Sequence, residues 1–200
     1  MISLITLIRP LVIFLTLTLA NICHAQGVLA LFGKSPEHHH RLGDNETYQL
    51  TYIHNDIATL DNSWDVTLDL EVSANKWVDR YGGWWWSDHH PNENRSYHPQ
   101  WHNDSYGISI TPVFRIPLYQ PTTDWLLQLG IGIGISYQSN ERFGYAKLGS
   151  RLLFENKLQL NLIYQNQHQV TLFLYHYSNG ETNKYNDGVD TLGIGYGYHW

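Results

Sequence analysis

Strict alternation of apolar with small or polar residues, sustained over stretches of about ten positions, limits this chain more than any other feature. From Leu127 to Tyr137 the odd positions are Leu127, Leu129, Ile131, Ile133, Ile135 and Tyr137, while the even ones are Gln128, Gly130, Gly132, Gly134 and Ser136. Successive side chains of a β-strand point to opposite faces, so one face of this segment is continuously apolar. Trp64, Val66, Leu68, Leu70 and Val72 stand against Asp65, Thr67, Asp69, Glu71 and Ser73 in the same way. Ile108, Ile110, Phe114 and Ile116 oppose Ser109, Thr111 and Arg115. Near the end, Leu192, Ile194, Tyr196, Tyr198 and Trp200 oppose Thr191, Gly193, Gly195, Gly197 and His199. No stretch after residue 25 offers the roughly 18 consecutive apolar residues of a membrane-spanning helix.

A soluble sandwich also alternates, with its apolar face inward. Two features favour the inverse arrangement, a membrane barrel with apolar side chains outward. Asp65, Asp69 and Glu71 line up opposite bulky aliphatics, over about the 10 residues a tilted membrane strand needs. The chain also closes on the aromatic Trp200 inside a strand pattern. Its 14 Tyr, 8 Trp and 16 Gly suit β-structure that meets a membrane interface. Candidate strands lie at 27–34, 48–56, 63–79, 104–117, 125–138, 148–165, 168–179 and 188–200. The expected fold is therefore all-β, an eight-stranded antiparallel transmembrane barrel of the bacterial outer membrane, eight being the smallest even count such barrels use. Connections after the first and third strands (35–47 and 80–103) are long; those at 57–62, 118–124 and 166–167 are short. Such barrels keep short turns in the periplasm and long loops outside, which sends the strand ends near Ser178 and Asp190 to the outer leaflet.

Residues 1–25 have the layout of a cleaved secretory signal: Arg9, then the apolar run Leu11 to Ala20, then Ala25 before Gln26. The barrel domain is then 26–200. Cys23 leaves with the signal, so neither disulfides nor thiol chemistry is available to the mature chain. Of the 12 basic residues Arg9 also leaves; 11 then face 18 acidic ones, a net charge near −7. That argues against nucleic acid as a partner, which would require a basic stripe.

The chemistry-bearing residues cluster at the C-terminal end. In Val170–Asn179, period two places His176 and Ser178 on one face with Val170, Leu172 and Leu174. Asp190 shares a face with Leu192, Ile194 and Trp200 in the next strand, so an antiparallel hairpin can set it across from His176. Serine, histidine and carboxylate then converge as nucleophile, base and orienter for acyl transfer. Ionisable groups facing lipid are costly, and residues that bear that cost are usually functional. A His-x-Ser pair alone also fits a solvated strand end, and it does not name an ester.

His176-Tyr177-Ser178-Asn179, followed by Asn186-Asp187-Gly188-Val189-Asp190 and a closing aromatic strand, resembles the lipid A 3-O-deacylase (PagL) family of outer-membrane enzymes. The resemblance is strongest over 168–200. It implies a serine esterase that needs no cofactor or metal and acts on lipid A or lipopolysaccharide among the outer-membrane lipids. Ser178 would attack the ester at position 3 and release a 3-hydroxyacyl chain, His176 would shuttle the proton, and Asp190 would orient the imidazole. Asn179 matches the family's oxyanion-stabilising asparagine, helped by backbone N–H groups of Gly180 and Glu181. Two positions depart from the pattern: Asp190 stands where relatives carry Glu, and Glu181 stands where the family has Gly, with Gly180 one residue early. Oligomeric state stays open, a homodimer included. The rival readings are a non-enzymatic adhesin or envelope-stabilising barrel, and another lipid enzyme, a phospholipase or acyltransferase. His38-His39-His40 and the loop holding Trp84-Trp85-Trp86, His89-His90 and Trp101-His102 lack the usual zinc-ligand spacing. The tryptophans suit a membrane–water belt or the neighbourhood of acyl chains.

Overall fold

The computed structural model describes residues 26–35, 45–61, 64–79, 104–143 and 146–200. The signal reading of 1–25, His38–His40 and the Trp- and His-rich stretch of 80–103 lie outside these residues. The described strands are β1 (Gln26–Lys34), β2 (Glu46–Asp61), β3 (Val66–Val78), β4 (Ser105–Thr122), β5 (Trp125–Gln138), β6 (Arg142–Phe143), β7 (Ala146–Lys147), β8 (Leu152–Tyr164), β9 (His168–Ser178) and β10 (Val189–His199). Eight of them close into one antiparallel barrel in the order β1-β10-β9-β8-β5-β4-β3-β2. β6 and β7 form a separate two-stranded hairpin in the loop before β8. Closure leaves no unpaired edge, the condition for a sheet to stand in hydrocarbon.

The alternation in the sequence maps onto the barrel wall as expected. Ile131, Ile133, Ile135 and Tyr137 are exposed on the outside, while Gly130, Gly132, Gly134 and Ser136 are buried within. An aromatic girdle rings the turn end of the barrel through Trp125, Tyr164, His168, Tyr196, Tyr198 and Trp200. Exposed Tyr48, Tyr106 and Tyr137 mark the loop end. Amphipathic rings of this kind settle at the headgroup level of a bilayer.

The lumen is filled in two layers. Towards its middle, Arg115 Nε donates to Asp69 Oδ2 at 2.7 Å and Arg115 Nη2 to Glu71 Oε1 at 2.6 Å. Lys157 Nζ bridges Glu71 at 2.9 Å and Glu155 at 3.2 Å, with all three side chains fully buried. Gly130 lies beneath the Arg115 guanidinium, where a Cβ would come within 2.6 Å of Nη1. Above this layer, Trp77 packs edge-on against Tyr177 at 4.8 Å and against Phe143 at 5.1 Å. Phe143, Ala146 and Leu148 of the β6–β7 hairpin are buried with them, closing the lumen at the loop end.

The three largest departures from the expected boundaries are in β8, β2 and β4. The strand expected from 148 begins at Leu152, because Ala146–Lys147 pairs back on β6 and Gly149 takes a left-handed φ of 67° that breaks the line. β2 and β4 run on to Asp61 and Thr122, through residues read as turns. Bulges between His54 and Ala58, and between Pro117 and Thr122, absorb the irregular pattern there.

Candidate active site

The site stands on the outer wall at the loop ends of β9 and β10. β9 alternates outward Val170, Leu172, Leu174, His176 and Ser178 with buried Gln169, Thr171, Phe173, Tyr175 and Tyr177. Its inner face is pinned: the Tyr177 hydroxyl donates to Glu155 Oε1 at 2.8 Å and to Gln49 Oε1 at 3.2 Å, and Tyr175 accepts a hydrogen bond from Gln159. The backbone that presents His176 and Ser178 is thus held by the charged layer of the lumen.

Asp190 pairs directly with His176 in the β9–β10 ladder. Its Oδ1 lies 2.7 Å from His176 Nδ1, and the two side chains are 37% and 45% exposed, open to a ligand from the membrane side. Direct opposition explains why the shorter aspartate suffices. The facing Cβ atoms are about 5 Å apart, a gap the two side chains span. In the tautomer that carries its proton on Nδ1, that N–H donates to the carboxylate and Nε2 keeps a free lone pair. Ser178 lies two residues further along the same face, opposite Phe154 of β8. Among the described residues no hydrogen bond joins Ser178 Oγ to His176. Hydrogen bonds between a nucleophile and its base commonly tighten only around substrate.

The loop after β9 accounts for the remaining residues of the motif. Gly180 and Glu181 both have φ of 62°, and the Thr182 N–H bonds back to the Asn179 carbonyl at 3.2 Å. Positive φ at both central positions is the mark of a type I′ turn. That turn leaves the N–H groups of Gly180 and Glu181 outside its own hydrogen bond. Gly180 also lies over the Phe154 ring, with room for no side chain, since a Cβ would come within 2.7 Å. Gly188, at φ 67°, abuts the imidazole from the loop side.

Asn179 does not face Ser178. It is buried, as its place next to an outward residue requires, and its Nδ2 donates to Leu148 O at 2.7 Å and Tyr185 O at 2.6 Å. Its own N–H donates to Asn186 Oδ1 at 2.9 Å. Asn179 therefore ties the β9–β10 loop to the segment that follows β7, while Asn186 braces the loop from within. Sequence reasoning also missed Asn156. It stands on the outer face of β8, in register with His176 on the side away from Asp190.

The fold and this polar cluster define a class: a small outer-membrane β-barrel carrying a serine–histidine–carboxylate group on its lipid-facing wall. The sequence model of the family described as Lipid A 3-O-deacylase (PagL) matches residues 47–199, and the chain belongs to that family. Lipid A deacylase PagL of Pseudomonas aeruginosa (strain PAO1) is 32% identical over 92 residues, 46% of this chain and 51% of that protein. The chain is thus matched to about half the length of that relative. The crystal structure of the outer membrane enzyme PagL superposes with a TM-score of 0.65 at 21% identity, over 86% of this chain and 98% of that one. Neisserial surface protein A gives a TM-score of 0.48 at 11% identity, over 87% and 94% of the two chains.

A methyl group at Gly188 would lie 3.0 Å from His176 Cε1 on a left-handed backbone. Gly188→Ala is therefore expected to tilt the imidazole and lower hydrolysis about 10- to 100-fold. The barrel should still migrate as a folded species on unboiled gels. Unchanged kinetics would show that the His176 position does not depend on this contact.

Proposed function

We propose that this protein hydrolyses the ester at position 3 of lipid A in the outer leaflet, with Ser178 as nucleophile, His176 as general base and acid, and Asp190 as orienter. The observation that carries the reading is the 2.7 Å His176–Asp190 pair on the lipid-facing wall, beside Ser178. A hydrogen-bonded imidazole and carboxyl are costly to hold in hydrocarbon, and groups that bear that cost are usually functional. Family membership supplies the substrate class, which the geometry alone would leave at "ester". Ser178 Oγ attacks the acyl carbonyl as its proton passes to His176 Nε2. The negative oxygen of the tetrahedral intermediate is met by backbone N–H groups of Gly180 and Glu181. His176 returns the proton to the sugar oxygen, the C–O bond breaks, and water then releases the fatty acid from Ser178 by the same relay.

Substrate would arrive sideways, its acyl chains against Leu172, Leu174, Leu192 and Ile194 and its headgroup at the loop end. The refolded protein, incubated with lipid A and separately with phospholipid, tests this by mass spectrometry. The expected result is loss of one hydroxyacyl chain from lipid A and intact phospholipid. Cleaved phospholipid with intact lipid A would make the protein a phospholipase. A gained chain would make it an acyltransferase, and no change in either would favour the adhesin.

A further inference from the structure

The outward face of β8 reads Leu152, Phe154, Asn156, Leu158, Leu160 and Leu162, one carboxamide in an otherwise apolar stripe. Asn156 is paired across the ladder with His176, which is paired in turn with Asp190. A polar row, Asp190–His176–Asn156, therefore crosses three strands in register, and on the next strand it meets Ile133. Among the described residues the Asn156 carboxamide has no hydrogen-bond partner. In the lipid belt such a group has no water to turn to, so a membrane ligand is the natural source of one.

The place of Asn156 along the strands relative to Ser178 says which part of the ligand. Ser178 pairs with Phe154, one pleat repeat nearer the loop end than Asn156, a step of about 6.7 Å. An acyl chain whose carbonyl is at Ser178 and whose tail runs towards the barrel's middle passes Asn156 within its first few carbons. A hydroxyl on the carbon two beyond the carbonyl falls within reach of the carboxamide, which can both donate to it and accept from it. We propose that Asn156 is a specificity-determining residue that hydrogen-bonds the hydroxyl of a 3-hydroxyacyl chain; this rests on the deacylase reading above. Asp190 and Asn156 then divide the work across His176: one orients the base, the other selects the chain.

The test uses the full refolded chain in detergent micelles and two synthetic lipid A monosaccharides that differ only in the 3-hydroxyl of the chain esterified at position 3. Wild type is expected to favour the hydroxylated chain by about tenfold in kcat/KM, the size of one membrane-embedded hydrogen bond. Asn156→Leu, which continues the stripe of its neighbours, is expected to bring that ratio to about one. A ratio unchanged in the variant overturns the proposal and leaves the deacylase reading standing. So does an equal fall on both substrates, which would put Asn156 at the reacting ester or on His176. If wild type cleaves neither compound, both readings fail together.

Discussion

Replacing Ser178 with alanine is expected to lower lipid A hydrolysis on the order of 10⁴- to 10⁶-fold, with the barrel still folded. The size follows from the proposed role: without Oγ no acyl-enzyme can form, and water must attack a carbonyl held only by oxyanion donors and chain contacts. Folding should be indifferent, because Ser178 is outward and makes no hydrogen bond among the described residues. His176→Ala should cost a similar factor, and the double variant little more than either single one, since residues acting as a unit are not additive. Rates on purified lipid A, measured beside heat-modifiable gel migration, separate lost chemistry from a lost fold. Full activity in either single variant would remove that residue from the mechanism.

The largest effect on stability is expected at Arg115, far from the chemistry. Its guanidinium holds Asp69 and Glu71 and also bonds Gln159, while Lys157 is shared between Glu71 and Glu155. These contacts set three buried carboxylates against two cations. Arg115→Met would leave three against one, and breaking a buried pair from one side costs about 3–5 kcal/mol. Chemical denaturation in detergent micelles should show a loss of this size, with hydrolysis by the surviving folded fraction unchanged. A variant as stable as wild type would mean that lumen water, and not the ion pairs, supports the charged layer.

The barrel was legible because a strand's side-chain period is two, so a shift of one residue would put Asp69, Glu71 and Arg115 into lipid and the isoleucines of β5 into the lumen. In a membrane barrel that pattern leaves only one assignment of faces, and it also puts His176, Ser178 and Asp190 on the outside. What period two does not carry is register across non-hairpin detail. The β6–β7 hairpin has only two residues a side, too few for alternation to show. The β8–β9 pairing that places Asn156 beside His176 depends on where a three-residue turn at 165–167 closes. Asn179 is the instructive case. Motif resemblance made it the oxyanion donor, whereas its parity beside outward Ser178 already sent it inward, where two backbone carbonyls occupy its amide. The direct Asp190–His176 opposition likewise answers the missing methylene that sequence comparison alone leaves as an irregularity.

On the proposed mechanism, Ser178 is a nucleophile activated by His176 on the lipid-facing wall. Its most direct test is covalent: a long-chain fluorophosphonate, which reacts with activated serines, is added to the refolded protein in micelles, and the labelled peptide is mapped by mass spectrometry. One label per chain is expected on Ser178, none in Ser178→Ala, and a rate lowered by orders of magnitude in His176→Ala. A label on any other residue, or labelling of Ser178 that proceeds equally fast without His176, would contradict it.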